Sequence, residues 1–498
     1  MRKRLSRRRQ FSLLAVTTVA TAGGLTLTGM TVHAAPAHVS YGGTVLQTNL
    51  VSDLPGVAAV TDPSLVNPWG ISESSASPFW LSDNNSGLST LYQVPGAGTA
   101  PVTVNPLAVN IPTPVSATGG TPTGTVFNSA SGAFMVTGQN KSGQTASAAA
   151  AFLFSSEDGT ITGWNPGIDP TGKFAGSGGA SGEAAIAVDK SGNNFTNPDP
   201  NQQTGAVYKG LAIATSATPI VAADATSTAL LYASNFRAGT VEVYDANFHP
   251  VTTLPSGAFR DRFLPRGYAP FGIQVLNGKV YVTYARQDAS KHDDAAGPGR
   301  GFVDVFNLDG TPGLPGGHVR LISRGPLDSP WGLAIAPVGF GGITAPGGDP
   351  VLLVGNFGDG FIHAFDASTG AALGELRDPD GEPIQIDGLW ALQVGNGGKG
   401  GIASAVYFTA GAFAESHGLF GSLTTAAPGS AEGPAEGQWV QANLDVVQLD
   451  LQKLNQDRSS GASAATIKQD AHTLNADFAQ LARAERALTA DDVKDPAA

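Results

Sequence analysis

Along most of the chain the apolar residues come in short runs bounded by Gly, Asn and Asp. Runs of about four to six apolar residues with such boundaries predict strands rather than helices. The clearest set is Val351-Leu352-Leu353-Val354, a polar turn from Gly355 to Gly360, and Phe361 to Asp366. The segment LLYASNFRAGTVEVYD, Leu230 to Asp245, repeats it. Ahead of these pairs stands a shorter signature: PWGI at 68–71, PFGI at 270–273 and PWGL at 330–333, with weaker copies at Pro122-Thr123-Gly124, Lys209-Gly210-Leu211 and Gly388-Leu389-Trp390. Glycines 70, 124, 210, 272, 332 and 388 are 54, 86, 62, 60 and 56 residues apart. Three or four strands per repeat, with no helical period between them, are the pattern of propeller blades. The expectation is an all-β, six-bladed β-propeller over residues 44–426.

The last repeat ends after its third strand, near Ser422-Leu423-Thr424, while Val45 to Val51 has no repeat of its own. That N-terminal run would supply the missing outer strand, closing the ring and leaving no sheet edge open. The 86-residue interval holds a Gly/Ser/Asn-rich stretch, roughly 165–203, expected as an exposed loop. Past Ala426 the pattern changes. A Pro/Gly/Glu linker (427–437) precedes Val440, Leu444, Val447, Leu451 and Leu454, then Ile467, Ala471, Leu474, Phe478 and Leu481. Spacings of three and four give each set one apolar helical stripe, so 438–490 is expected to form a C-terminal α-helical hairpin. It would pack on itself or on the propeller, or serve self-association.

The N-terminus adds a location. Arg2, Lys3, Arg4 and Arg7 to Arg9 form a basic head, an uncharged stretch follows, and a small-residue run ends it near Ala34. This is the layout of an export signal over residues 1–34, and Arg8-Arg9-Gln10-Phe11 resembles the twin-arginine type, with an arginine-rich Sec signal as the alternative. Removing the six basic residues of the leader from the 28 in the chain leaves 22 against 40 acidic ones, a mature net charge near −18. So acidic a surface excludes nucleic acid and anionic lipid as partners. The chain has no cysteine, which excludes disulfides, thiol catalysis and thiolate metal sites. The mature protein is expected to be secreted, without a membrane span.

Candidate chemistry lies where loops converge, at the rim formed by the turns after second strands and by the blade links. Those turns contribute Asn84, Asn235, Arg237, Asn356 and Asp359, and a link contributes Asp387. Two loops carry more. Gln287 to Arg300 is the longest such turn and sets His292 beside Asp288, Asp293 and Asp294; Glu415-Ser416-His417 pairs a carboxylate with a histidine. Close carboxylates need a cation among them, with Lys291 or a metal ion as the candidates. His292, Asp293, Glu415 and His417 are the residue types that hold one divalent cation, calcium if oxygen ligands dominate. The same groups could act as general acid and base. No HExxH, EF-hand, GxSxG or P-loop pattern is present.

Segments such as NLVSDLPG, NPWGIS, YASNFRAGTVEVYD, KVYVTYARQDASKHDDAAGPGRGFVDVF, SRGPLDSPWGLAIAP, LLVGNFGDGFIHAFD, IDGLWALQVGNGG and SHGLFGSL resemble a family of exported bacterial proteins of unknown function, some of which carry PEP-CTERM sorting tails. The resemblance covers about Val45 to Leu423 and implies a propeller without an established reaction. In Thr409 to Glu415 (TAGAFAE) the chain is less polar than that family. The blade pattern is more distantly similar to NHL-repeat and gluconolactonase-like propellers, which bind a channel-mouth calcium and hydrolyse lactones or esters; no ligand of theirs transfers residue by residue. Two readings stand open: a secreted propeller that binds an extracellular small molecule, glycan or protein at its rim, or a metal-dependent hydrolase of lactones or esters.

Overall fold

The computed structural model describes residues 43–97, 101–140, 142–168 and 182–427 and, in the tail, 446–447, 451–460, 463, 466–467, 474 and 481. The leader and residues 428–437 of the linker lie outside them.

Each signature opens the inner strand of a blade. Pro68–Ser72, Phe79–Asp83, Leu88–Gln93 and Val109–Asn110 build the first blade, and Pro122–Phe127, Phe152–Ser156, Thr160–Trp164 and Ala185–Asp189 the second. The third has Tyr208–Thr215, Ala229–Asn235 and Thr240–Tyr244; the fourth, Tyr268–Leu276, Lys279–Arg286, Gly301–Phe306 and Arg320–Ser323. Pro330–Ile335, Val351–Asn356, Ile362–Asp366 and Ala372–Glu375 make the fifth. In the sixth, Leu389–Val394, Val406–Ala410 and Leu419–Thr425 are joined by the N-terminal strand Val45–Ser52, paired antiparallel from Val45 with Thr425 to Ser52 with Leu419. The ring therefore closes as its sequence pattern implies.

The recurring glycine of the signature has a steric cause. A Cβ on Gly70 would sit 2.4 Å from the carbonyl oxygen of Thr123; on Gly272, 2.2 Å from that of Trp331; on Gly332, 2.5 Å from that of Trp390. At these three positions the inner strands of neighbouring blades touch backbone to backbone, and only glycine leaves the room. Blade six corrects the repeat: Ala391, not Gly388, follows the channel-lining aromatic there, and its N–H bonds Thr409 as that of Gly272 bonds Thr283. Gly388 instead forms the preceding turn at φ +64°.

Two further corrections concern blade two. An additional hairpin, Met135–Gln139 with Thr145–Ala149, lies between its first and second strands. Its outer strand Ala185–Asp189 lies inside the stretch read as a loop, because Ala-Ile-Ala-Val-Asp is a strand run in a Gly-rich setting. In the tail, 451–460 is helical; Val447, Leu454, Leu474 and Leu481 bury against one another, whereas Val446 packs with Ala412 and Phe413 of blade six. Among the described residues no helix is long and apolar enough to cross a membrane.

Candidate functional site

The first strand of each blade begins, and the second ends, at the same rim: Pro68 opposes Asp83, and Pro330 opposes Asn356. The residue just before the tight glycine (Ala391 in blade six) therefore lies beneath that rim on the channel. The six are Trp69, Thr123, Lys209, Phe271, Trp331 and Trp390. Aromatics fill the channel: Trp69 stacks on Trp390 at 3.5 Å between ring centroids, and Trp331 meets Trp390 edge-on at 5.9 Å. Phe357 stacks on Trp390 from its other side at 4.0 Å. Blades two and three break the aromatic series, with Thr123 and with the charged Lys209.

Lys209 is buried, and its Nζ lies 4.9 Å from the Trp69 ring centre. It donates to Glu157 Oε1 and, at 3.0 Å, to Asp293 Oδ1. Glu157 follows the second strand of blade two and also accepts from Asn84 Nδ2 at 2.9 Å. Asp293 comes from the long turn of blade four, which folds over the channel mouth, and its Oδ1 lies 2.8 Å from His292 Nδ1. Burial alone would push the Lys209 ammonium down; Glu157 and Asp293 outweigh it and hold the group above its ordinary value. Partial burial works against Asp293 ionising, but His292 and Lys209 keep it well below the usual carboxylate range. The cation among the carboxylates is thus Lys209, not Lys291, which is exposed.

Glu415 reaches the same mouth from blade six. Its Oε2 accepts from Asn67 Nδ2 at 2.9 Å, while Asn67 Oδ1 accepts from Trp390 Nε1 at 3.0 Å. Burial first, and then the charge of Glu157, push its carboxyl up to about 7. Asp294, half-buried beside Ser329, is raised by burial to about 6. The backbone here is strained: Phe413, Ala414 and Glu415 stand at φ 55°, 50° and 68°, and Asn67 at 51°. Each left-handed non-glycine residue costs about 1–2 kcal/mol, and such strain gathers at functional sites. The turn is held by Glu415 N–H to Gly411 O (3.1 Å), Phe413 N–H to Asp387 Oδ2 (2.8 Å) and Asn85 Nδ2 to Glu415 O (2.6 Å).

The sequence-predicted residues divide accordingly. Asn84, His292, Asp293, Asp294 and Glu415 come together at the mouth. Asp288 caps its own loop, accepting from the His292 N–H at 3.0 Å. Asn235 bonds Glu242, and Arg237 anchors Asn194 and the Gly205 carbonyl. Asn356 and Asp359 bond each other inside their turn at 2.9 Å. Asp387 supports the blade-six turn, and His417 turns outward to Asp53 at 2.6 Å. Glu157 and Lys209 escaped the sequence reading. Lys209 gave one signal, a charge at a channel position that is aromatic in four of the six copies, and Glu157 gave none.

Glu157, His292 and Asp293 each offer a ligand atom within 4.8 Å of one another, one such group among the described residues. Glu415 and His417 are not in it. The Lys209 ammonium already bonds both carboxylates, so a divalent ion would enter against a fixed positive charge beside the buried Lys209 and Glu157. As arranged, these residues fit an internal ammonium better than a metal.

No established family model matches the chain. It is 33% identical over 350 residues to the uncharacterised protein R648 of Acanthamoeba polyphaga mimivirus, covering 69% of this chain and 72% of that one. With the mimivirus protein L690 it shares 31% identity over 384 residues, 75% of this chain and 84% of the other. The chain belongs to the family of these two uncharacterised viral proteins. Among solved structures it is similar to a streptogramin B lyase (10% identity, 78% of this chain and 100% of the other, TM-score 0.33). It is also similar to the PQQ-bound aldose sugar dehydrogenase of Streptomyces coelicolor (11% identity, 77% and 99%, TM-score 0.39). These likenesses go no further than the propeller and bring no chemistry with them.

Proposed function

We propose that this chain is an exported propeller whose channel mouth binds a polyhydroxylated ligand, the sugar unit of a glycan. The observation that carries this is convergence. Four ionisable side chains from four blades, Glu157, Lys209, Asp293 and Glu415, meet with Asn67 and Asn84 above an aromatic floor, on backbone strained at Asn67 and Glu415. Carboxylates and side-chain amides alternate there as acceptors and donors, which suits vicinal hydroxyls. The excess of carboxylates and the charge near −18 of the mature chain disfavour anionic ligands. The basic, uncharged and small-residue zones of residues 1–34 support export.

The test is a glycan array probed with the labelled mature chain, followed by calorimetric titration of the retained glycans. His292→Ala with Asp293→Ala should abolish binding while the melting temperature moves little. Retention unchanged in that variant would reject the mouth as the site. The metal-dependent hydrolase reading keeps one observation in its favour, the group Glu157, His292 and Asp293. Elemental analysis of the purified mature chain decides it: a stoichiometric divalent metal, with melting lowered by a chelator, would replace the glycan reading.

A further inference from the structure

Two carboxyl groups at the mouth have opposite surroundings. Glu415 is half-buried, receives one amide donor, Asn67, on Oε2, and has no cation bonded to it; its Oε1 has no hydrogen-bond partner among the described residues. Asp293 has an ammonium and an imidazole on Oδ1, while its Oδ2 is without a hydrogen-bond partner among the described residues, and its side chain is 64% exposed. An enclosed carboxyl without a cation favours its neutral, proton-bearing form; one bonded by an ammonium favours the anion. Environments that push two acids apart in this way define a proton donor and a proton acceptor.

We infer that the mouth also cleaves what it binds, with Glu415 as general acid and Asp293 as general base in the metal-free hydrolysis of a glycosidic bond. The inference rests on the glycan-binding reading of the same pocket. In the step, the bond between the anomeric carbon and the leaving oxygen breaks, and the proton on Glu415 passes to that oxygen. A water molecule adds its oxygen to the anomeric carbon and gives a proton to Asp293 Oδ2. Solvent then returns one proton from Asp293 to Glu415, and both groups are reset. Lys209 holds Asp293 ionised, and Asn67, fixed by Trp390, aims Glu415; these two are positioning residues. The left-handed turn from Phe413 to Glu415 is explained by this role, since it directs Glu415 to the axis while His417, two residues on, faces Asp53.

The experiment incubates the full mature chain, in a chelator, with each glycan retained on the array and with 4-nitrophenyl glucosides, galactosides and N-acetylglucosaminides. Released reducing ends or nitrophenol are followed against pH. Wild type should turn over at least one of these and lose rate as pH rises past about 7, where Glu415 gives up its proton. Glu415→Gln should lower kcat by at least about 100-fold while the variant still binds the same glycan in the calorimeter, and Asp293→Asn should lower kcat as well, because the attacking water then has no carboxylate to take its proton. Binding without any turnover by wild type overturns the hydrolysis and leaves the binding reading standing. Absence of binding as well removes both. A Glu415→Gln variant as active as wild type, or a wild-type rate flat through neutral pH, also overturns the assignment.

Discussion

Replacing Lys209 by methionine probes the centre of the ring. The substitution keeps most of the side-chain volume against Trp69 and removes one charge. Glu157, whose side chain is 10% exposed, is then left without its cation, and breaking a buried pair of this kind costs about 3–5 kcal/mol. The Asp293 half of the bridge, 64% exposed, adds less than about 1 kcal/mol. With an unfolding entropy of about 2.1 cal/mol/K per residue over roughly 380 residues, about 4 kcal/mol corresponds to a melting temperature lower by about 5 °C. The pH dependence has a definite sign. The raised Lys209 contributes fully below its unfolded value of about 10.4 and is lost above it. The lowered Asp293 contributes above its unfolded value of about 3.9 and is lost as pH falls through and below it. The deficit of Lys209→Met, measured by calorimetric melting, should therefore be full between about pH 5 and about pH 9 and shrink below about pH 4. Adding Glu157→Gln should restore about half of it, because no buried charge is then left unpaired. A single variant melting within about 1 °C of wild type at neutral pH would refute the buried bridge.

Other parts of the molecule give their own tests. Glu73, at the inner-strand end remote from this mouth, is raised by burial to about 8; its native state keeps a proton the unfolded chain releases, so stability should fall from about pH 4.5 to 8, by at most about 1.4 kcal/mol per unit. Glu73→Gln should flatten that slope in melting curves, and an unchanged slope would place the titration elsewhere. Deleting Val45–Ser52 should abolish cooperative melting, since it strips the outer strand from blade six; a sharp transition after deletion would mean the ring closes otherwise. Truncation after Ala427 should leave the propeller folded and cost about 1–2 kcal/mol for the lost packing of Val446 on Ala412 and Phe413; precipitation of the truncated chain would make the tail part of the core.

The ring and its closing strand were legible because both follow from periodicity. Runs of apolar residues and backbone-tight glycines recur, and Val45–Ser52 was an apolar run with no repeat to join. The site was legible only where its residues were unusual for their segment. His292 and Asp293 lie in a loop longer than its turn requires, and Glu415 in a segment less polar than expected. Glu157 was hidden in Ser155-Ser156-Glu157-Asp158-Gly159, which reads as an ordinary turn, and Lys209 in what looked like a decayed signature. Both matter through position across blades, which spacing along the chain does not display. His417 was misleading for a local reason: the left-handed residues before it turn Glu415 and His417 to different partners.

The central claim is that a sugar unit sits on the channel axis between Glu415 and Asp293. A crystal structure of mature Glu415→Gln soaked with a glycan retained on the array tests it most directly. The account predicts density for one sugar ring at the mouth, with hydroxyls in hydrogen-bond contact with Asp293 and Asn84 and the glycosidic oxygen facing residue 415. Sugar bound on an outer blade face, with the mouth holding only water at saturating glycan, would contradict it.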